Sequence, residues 1–201
     1  MSEADLLLAT TNRSKAQEIR KFLSSLSLEI FHLGDIRIEK PYPENKPTFI
    51  ENARGKSLYY SQFWSGLTLA EDSGLEIDHL KGAPGIFSAR FSGSHATDER
   101  NIQKVLKLME GVPLEKRKAR FVCALVLSKK GKVLKEITEH VEGLITPRKK
   151  GRYGFGYDPI FYHSPSGKTF AQLRPEEKNR VSHRGRALKK LEEFLISYLK
   201  K

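Results

Sequence analysis

The sequence predicts an α/β fold with a partly parallel sheet and a long antiparallel component. Two observations support this: a βαβ pattern at the start of the chain and two long β-rich runs in its second half. In the first, an apolar run at 5–10 predicts a buried strand, apolar residues at helical spacing cover 13–26, and a second strand follows at 28–33. In the second, a short basic connection joins the runs 120–127 and 133–145, which predicts a β-hairpin.

Between these two regions the chain carries shorter elements. Thr48 followed three positions later by Glu51 is a capping box, and it predicts the start of a helix that reaches about residue 64. A strand at 67–70 leads into Glu71-Asp72-Ser73-Gly74, where we expect a turn before another strand at 75–80. Three more helices are predicted at 97–109, 175–183 and 187–199, and two glycine-rich loops at 82–93 and 151–159.

Composition excludes several classes of protein. With 201 residues the chain can bury a sizeable core without disulfides or a structural metal. The longest purely apolar run, 121–127, is far shorter than the roughly 20 residues of a membrane helix, and the acidic start does not resemble a secretory signal. Since Cys123 is the single cysteine, an intrachain disulfide and a cysteine-rich metal site are excluded, and we expect a cytoplasmic protein.

The net charge of +12 favours a polyanionic partner, which is either nucleic acid or a nucleotide. Residues 115–152 carry +8 and residues 171–201 carry +5, whereas the rest of the chain carries −1. Most of this excess is therefore interpreted as solvated surface that attracts a triphosphate only weakly. A nucleic-acid-binding protein without turnover remains the main alternative.

A polar turn between the first strand and the first helix is the first candidate site. A helix N-terminus with small polar residues offers backbone N–H groups and a positive dipole end to an anion, and a lysine in the first turn adds a charge. An ordinary capped helix is the alternative interpretation. The turn comprises Thr10, Thr11, Asn12, Arg13, Ser14 and Lys15.

Two adjacent acids at the end of a predicted strand form the second candidate. Asp72 and Glu71 are suited to Mg²⁺, which prefers oxygen ligands, and an acid here can also orient an attacking water. Glu44 and Glu51 are further acids that flank the start of the preceding helix. A polar turn without ligand is the alternative.

Two later segments combine aromatic, glycine and basic residues. Glycines between aromatic rings permit close backbone approach, and the rings offer stacking faces to a base. Basic side chains downstream are suited to base carbonyls or phosphates, as is Lys56 on the predicted second helix. The alternatives are core aromatics and a solvated basic surface. The candidates are Phe155, Gly156, Tyr157 and Asp158 in the first segment, and Lys178, His183 and Arg184 in the second.

Eight segments in unbroken order resemble the inosine triphosphate pyrophosphatase family. They are LLLATTNRSKAQEIRKFL, TFIENARGKSLYYSQ, LAEDSGLEID, GAPGIFSARFSG, ATDERNIQKVL, ARFVCALVL, GFGYDPIF and EEKNRVSHRGRAL. The resemblance implies a single domain over 1–201 with an elongated central mixed sheet flanked by helices, and an active-site cleft between two lobes. It also implies a homodimer, and Mg²⁺-dependent hydrolysis of ITP, dITP and XTP to the monophosphate and pyrophosphate, which cleanses the nucleotide pool.

The resemblance assigns roles position by position. Thr10 to Lys15 match the phosphate-binding turn, and Lys56 matches a lysine near the phosphates. Asp72 matches the catalytic base and metal ligand, with Glu44 or Glu71 as a second metal-side carboxylate. Ser73 lies next to substrate, and the base pocket comprises Phe155, Gly156, Tyr157, Asp158, Lys178, His183 and Arg184.

The chain departs from the family pattern at two positions. Thr11 stands where members often have glycine, which raises the question of whether its backbone angle permits close phosphate approach. Glu71 stands where bacterial members often have aspartate, so the metal geometry is open at that position. A pyrophosphatase for modified pyrimidine triphosphates is the nearer alternative function.

Overall fold

The computed structural model describes residues 5–36 and 41–200. Its α-helices are α1 (Arg13–Phe22), α2 (Phe49–Tyr60), α3 (Asp98–Leu108), α4 (Pro175–Val181) and α5 (His183–Leu199). Its strands are β1 (Asp5–Leu8), β2 (Glu29–His32), β3 (Leu67–Ile77), β4 (Lys118–Lys129), β5 (Lys132–Ile145), β6 (Phe161–His163) and β7 (Lys168–Thr169). None of the helices within these ranges is long and apolar enough to cross a membrane.

The seven strands form one mixed sheet in the order β2-β1-β3-β4-β5-β6-β7. β1 pairs in parallel with both β2 and β3, as the βαβ pattern predicts, whereas β6 pairs antiparallel with β5 and β7. β4 and β5 are neighbours connected by Lys130 and Gly131, both of which have positive φ, so the predicted hairpin is confirmed. The α/β class and the mixed sheet are therefore confirmed, while the elongated shape and the cleft between two lobes stay predictions.

The predicted turn at Glu71-Asp72-Ser73-Gly74 is wrong, because β3 is a single strand that runs through all four residues. Consecutive side chains of a strand point to opposite faces, so this correction separates Glu71 from Asp72. Boundaries also shift at the helices: α1 gives way to a 3₁₀ turn after Phe22, and α5 begins at His183 rather than at 187.

The chain divides into two compact units, each with an apolar core of its own. The first unit comprises residues 1–72, 123–139 and 187–201. One core cluster packs α1 and α5 on strand residues such as Leu67 and Leu69, and a second packs α2 on Leu7 and Ala70. Odd-numbered residues of β3 in this unit thus face α1 and α5, and even-numbered residues face α2.

The second unit comprises residues 73–122 and 140–186. Its core packs α3 on the strands around Phe121 and Phe161, whose ring centroids lie 4.6 Å apart. Arg117 is buried beneath this core, and its guanidinium donates to four carbonyl oxygens, those of Met109, Val112, Ile145 and Thr146. This network connects the end of α3 to the end of β5. Loss of the guanidinium would leave these carbonyl oxygens short of a donor, which is costly where they are buried.

A sharp junction between α4 and α5 positions the basic residues singled out in the sequence. The Ser182 side chain accepts a hydrogen bond from the Gly185 N–H at 3.0 Å and so caps α5. A Cβ on Gly185 would lie 1.6 Å from the Asn179 carbonyl oxygen, so only glycine lets the two helices approach this closely. Lys178 therefore sits at the end of one helix, and His183 and Arg184 sit at the start of the next.

We expect Gly185→Ala to lower the free energy of unfolding by about 3 kcal/mol, because the new methyl group has to push backbone rather than a mobile side chain. Urea unfolding followed by circular dichroism measures this. Lys189→Ala, an exposed change on the same helix, is the control and should stay within about 0.5 kcal/mol of the wild type. Equal stability of the glycine variant and the wild type would contradict the close-approach argument.

Candidate active site

The polar turn after β1 is a capped helix start whose first N–H groups point away from the helix. The Asn12 side chain accepts from the Lys15 N–H at 3.0 Å, and the Thr10 hydroxyl accepts from the Asn12 N–H at 3.1 Å. Arg13 and Ser14 follow as the first two helical residues, whose N–H groups have no partner within a helix. The turn can therefore cap the helix and still offer backbone N–H groups to an anion.

The backbone of Thr11 is not strained. Over the described part of the chain, Lys81 and Lys130 are the only non-glycine residues with positive φ, so Thr11 holds an ordinary backbone angle. Replacing the family's frequent glycine by threonine therefore leaves the backbone of the turn undistorted.

Lys15 connects this turn to the acids of β3. Its Nζ lies 3.4 Å from Glu71 Oε1, and the Glu71 side chain is buried. Glu71 belongs to the odd-numbered residues of β3, which face α1, so this pairing follows from the strand alternation. Lys15 therefore forms an ion pair with Glu71 on the α1 side of β3.

Asp72 lies on the opposite face, towards α2, and is 7% exposed. Burial raises the pKa of its carboxyl group to about 6, even though Lys15 and Lys56 pull it down. Glu44 adds to the increase, and a hydrogen bond from Asn52 opposes it. The Asp72 carboxyl group is therefore ionised at neutral pH, and its buried charge lowers the free energy of unfolding.

Lys56 and Glu44 complete the surroundings of Asp72. Lys56 is 6% exposed, and its ammonium group forms an ion pair with Glu44. The sequence-predicted residues Lys15, Glu44, Lys56, Glu71 and Asp72 are thus brought together in the first unit.

The chemistry of these acids fits a hard cation with few protein ligands. Asp72 Oδ2 is buried and has no hydrogen-bond partner among the described residues, which is an arrangement that a cation or a water would satisfy. Residues 5–36 and 41–200 contain no cluster of three or more His, Cys, Asp or Glu side chains able to hold a metal. Mg²⁺ is commonly bound by one or two carboxylates together with waters and substrate phosphates, so such a cluster is not required.

In the second unit, the glycine-rich segment 154–158 folds around a buried ion pair. Lys178 Nζ donates to Asp158 Oδ2 at 2.6 Å, and the same oxygen accepts from the Phe155 N–H at 3.0 Å. Gly154 has a φ of +75°, and a Cβ there would lie 2.0 Å from Asp158 Oδ2. The glycine is therefore required both by its backbone angle and by the closeness of the carboxylate.

Two cations face the Phe155 ring. Lys178 Nζ lies 4.8 Å and the Arg184 guanidinium 5.3 Å from its centroid. Arg184 is buried, and its Nη2 donates to the Ser73 hydroxyl at 3.2 Å. The resulting surface offers one aromatic ring and several hydrogen-bond donors, which is suited to a base that carries carbonyl oxygens.

Three further residues hold this arrangement in place. The His183 ring stacks on Phe121 at 4.7 Å with an interplanar angle of 10°. The buried Tyr157 hydroxyl donates to the Ser88 carbonyl at 2.8 Å, and burial raises the pKa of this phenol. The Asp98 carboxylate accepts from the Gly156 N–H at 2.7 Å. The aromatic and basic residues that the sequence singled out in this unit therefore lie in one network of contacts.

Sequence reasoning missed Asn52, Asp98 and Phe121. Asn52 stands one turn after the Thr48 cap and Asp98 follows the Thr97 cap, so their sequence signals resemble ordinary helix starts. Phe121 lies in an apolar strand, where nothing local indicates a stacking partner 62 positions away.

Comparison with known proteins gives one consistent picture. The Ham1 family model matches residues 6–194. The chain is 42% identical over 196 residues to a dITP/XTP pyrophosphatase of Thermoanaerobacter sp., covering 96% of this chain and 98% of that protein. It is also 42% identical to the Bacillus subtilis dITP/XTP pyrophosphatase, covering 97% and 98%. A solved HAM1 protein from Coxiella burnetii superposes with a TM-score of 0.86 at 37% identity, covering 96% and 98%.

We expect Asp72→Asn to stabilise the metal-free protein at pH 8. The pKa of Asp72 is raised from 3.8 to about 6, so the folded state binds the proton more tightly than the unfolded chain does. The stability contributed by this group is present at low pH and is lost as the pH rises from about 4 through about 6, at a cost on the order of 3 kcal/mol.

Urea unfolding in the presence of EDTA at pH 8 and pH 4.5 measures this effect. The gain in unfolding free energy should be large at pH 8 and small at pH 4.5. Glu110→Gln, which changes an exposed acid, should show no such difference. An Asp72→Asn variant that is less stable than the wild type at pH 8 would contradict the burial argument.

Proposed function

The chain belongs to the Ham1 family, and on that premise we propose how its residues carry out the hydrolysis of dITP and XTP. It is a nucleoside triphosphate pyrophosphatase of the dITP/XTP class, as the full-length identity to such enzymes indicates. The single observation that supports the assignment of residues is Asp72, a buried carboxylate with an unpartnered oxygen between two lysines. The reaction cleaves the bond between the α- and β-phosphates and releases the monophosphate and pyrophosphate.

The residues of the first unit act on the phosphates. N–H groups of the turn Thr10–Lys15 bind phosphate oxygens, and Lys15 and Lys56 offset the negative charge that develops on the departing pyrophosphate. Asp72, which is ionised at neutral pH, orients the attacking water and accepts its proton. Each of these groups is in place before substrate arrives, which reduces the reorganisation needed in the reaction.

Asp72 and Glu44 would hold Mg²⁺, with Glu71 on the other face of β3 as the third candidate ligand. When bound, the metal offsets charge on the phosphate oxygens and lowers the barrier to nucleophilic attack at phosphorus. The unpartnered Asp72 oxygen and the proximity of Glu44 support this assignment. Glu44 is close enough to raise the pKa of Asp72, whereas Glu71 projects from the opposite face of β3, and this favours Glu44 as the second ligand.

The residues of the second unit recognise the base. A base stacks on Phe155, while donors from Lys178, His183 or Arg184 bind the 6-oxo oxygen of hypoxanthine or xanthine, with Ser73 next to the substrate. Adenine presents an amino donor at this position, which cannot accept a hydrogen bond from these residues, and this mismatch costs affinity. Asp158, held by Lys178, fixes the loop that carries Phe155.

We also propose that the protein acts as a homodimer in the cytoplasm. The family resemblance supports the dimer, and a single buried cysteine suits a reducing compartment. Size-exclusion chromatography with light scattering tests the dimer at about twice the 22.9 kDa mass of the chain.

Pyrophosphate release from a panel of triphosphates tests the function. We expect turnover of ITP, dITP and XTP with Mg²⁺, little with ATP or GTP, and none in EDTA. Asp72→Asn should reduce kcat by at least about 1,000-fold, since the base and a metal ligand are both lost. Preference for modified pyrimidine triphosphates would replace the purine assignment, and tight, salt-dependent binding of nucleic acid without any turnover would overturn the enzyme.

We expect Arg184→Ala to reduce discrimination between ITP and ATP about tenfold or more, measured as the ratio of their kcat/KM values, because a donor to the 6-oxo group is removed. Arg180→Ala, which removes an exposed arginine on the neighbouring helix, is the control and should keep the wild-type ratio. An unchanged ratio in the Arg184 variant would remove this residue from base recognition.

A further inference from the structure

A short segment before α2, residues 41–48, lies along that helix and is here called the strap. It carries Glu44 and is attached to α2 at three points. Tyr42 packs over Gly55, where a Cβ would lie 1.9 Å from the tyrosine hydroxyl, and the Tyr42 N–H donates to the Tyr60 hydroxyl at 3.2 Å. Glu44 forms the ion pair with Lys56. The third attachment is Asn52.

Asn52 binds the strap through both ends of its side-chain amide and lies next to Asp72. Its Oδ1 accepts from the Lys46 N–H at 2.9 Å, and its Nδ2 donates to the Lys46 carbonyl at 3.2 Å. The same amide lies close enough to the Asp72 carboxyl group to lower its pKa by hydrogen bonding. Asn52 is 1% exposed, so water does not replace these partners in the folded protein.

This pattern differs from that of an ordinary polar core residue. A helix N-terminus is capped here by Thr48, whose hydroxyl accepts from the Glu51 N–H, so Asn52 is not needed as a cap. Its two strap bonds form a closed pair with one residue, which fixes the strap in one register on the helix. A short strap also fixes Glu44, which stands two residues before Lys46.

We propose that Asn52 is a positioning residue that holds the carboxylates of Glu44 and Asp72 in one geometry, and so prepares them for a divalent cation. This inference rests on the proposed function, in which these two acids bind Mg²⁺. Asn52 itself touches neither metal nor substrate. Without its bonds the strap loses its register, and Glu44 spends part of its time away from Asp72.

Two variants disturb the strap from different sides. Asn52→Ala removes the amide, and Gly55→Ala displaces Tyr42 while leaving Asn52, Glu44 and Asp72 unchanged. Alanine is favoured over glycine within a helix, so the second variant keeps α2 intact. Arg54→Ala is the matched control, because Arg54 lies on the same helix and pairs with Glu136 instead of the strap.

Hydrogen exchange of the metal-free protein provides the readout that does not depend on activity. The Lys46 amide should exchange about tenfold faster or more in both strap variants and at the wild-type rate in Arg54→Ala. Unchanged protection at Lys46 in Asn52→Ala and Gly55→Ala would overturn the proposal.

The Mg²⁺ dependence of pyrophosphate release provides the second readout. The Mg²⁺ concentration for half-maximal rate should rise about tenfold in both strap variants, while kcat of Gly55→Ala at saturating Mg²⁺ stays within about threefold of the wild type. Faster exchange with an unchanged Mg²⁺ requirement would make Asn52 merely structural and overturn the positioning role. Absence of turnover in the wild type would refute the proposed function, and the exchange comparison would still decide whether Asn52 holds the strap.

Discussion

The parallel pairing of β1 with β3 is the constraint on which the rest of the first unit depends. Leu8 pairs with Leu69, and the Ala9 N–H donates to the Leu69 carbonyl at 2.8 Å, which ends the pairing. Beyond this point β1 gives way to the polar turn while β3 continues. Because β3 runs on past the end of β1, its acids at 71 and 72 lie beside the polar turn, as the 3.4 Å distance between Lys15 and Glu71 shows.

Each unit contains a buried carboxylate, and the surroundings of its charge differ between the two units. In the second unit, Asp158 and Lys178 are both buried but neutralise each other at 2.6 Å, so the pair stabilises the loop around it. Asp72 in the first unit has lysines nearby, yet desolvation outweighs their attraction and its pKa stays raised. A buried carboxylate that destabilises the folded protein in this way would be stabilised by a bound cation. Sites that bind ligands often carry such a local loss of stability.

Both groups of site residues are held by backbone constraints as well as by side chains. In the second unit, Gly185 lies close to Asn179 and Gly154 lies close to Asp158, and this restricts the backbone around Phe155 and Arg184. In the first, the strap is attached to α2 at Gly55 in a similar way. These three glycines therefore allow close contacts that fix the positions of nearby polar side chains. Such support is typical of sites that are preorganised before a ligand binds.

The sequence by itself determined the parts of this protein that depend on local patterns. The βαβ opening, the hairpin, the cap at Thr48 and the order of the family segments all follow from spacing and residue type. The tertiary structure alone decided that β3 runs unbroken through Asp72, because pairing with a neighbouring strand overrides the turn tendency of a Ser-Gly pair. That one outcome directs Glu71 to α1 and Asp72 to α2, and partners distant in sequence, such as Phe121 for His183, leave no local signal to find.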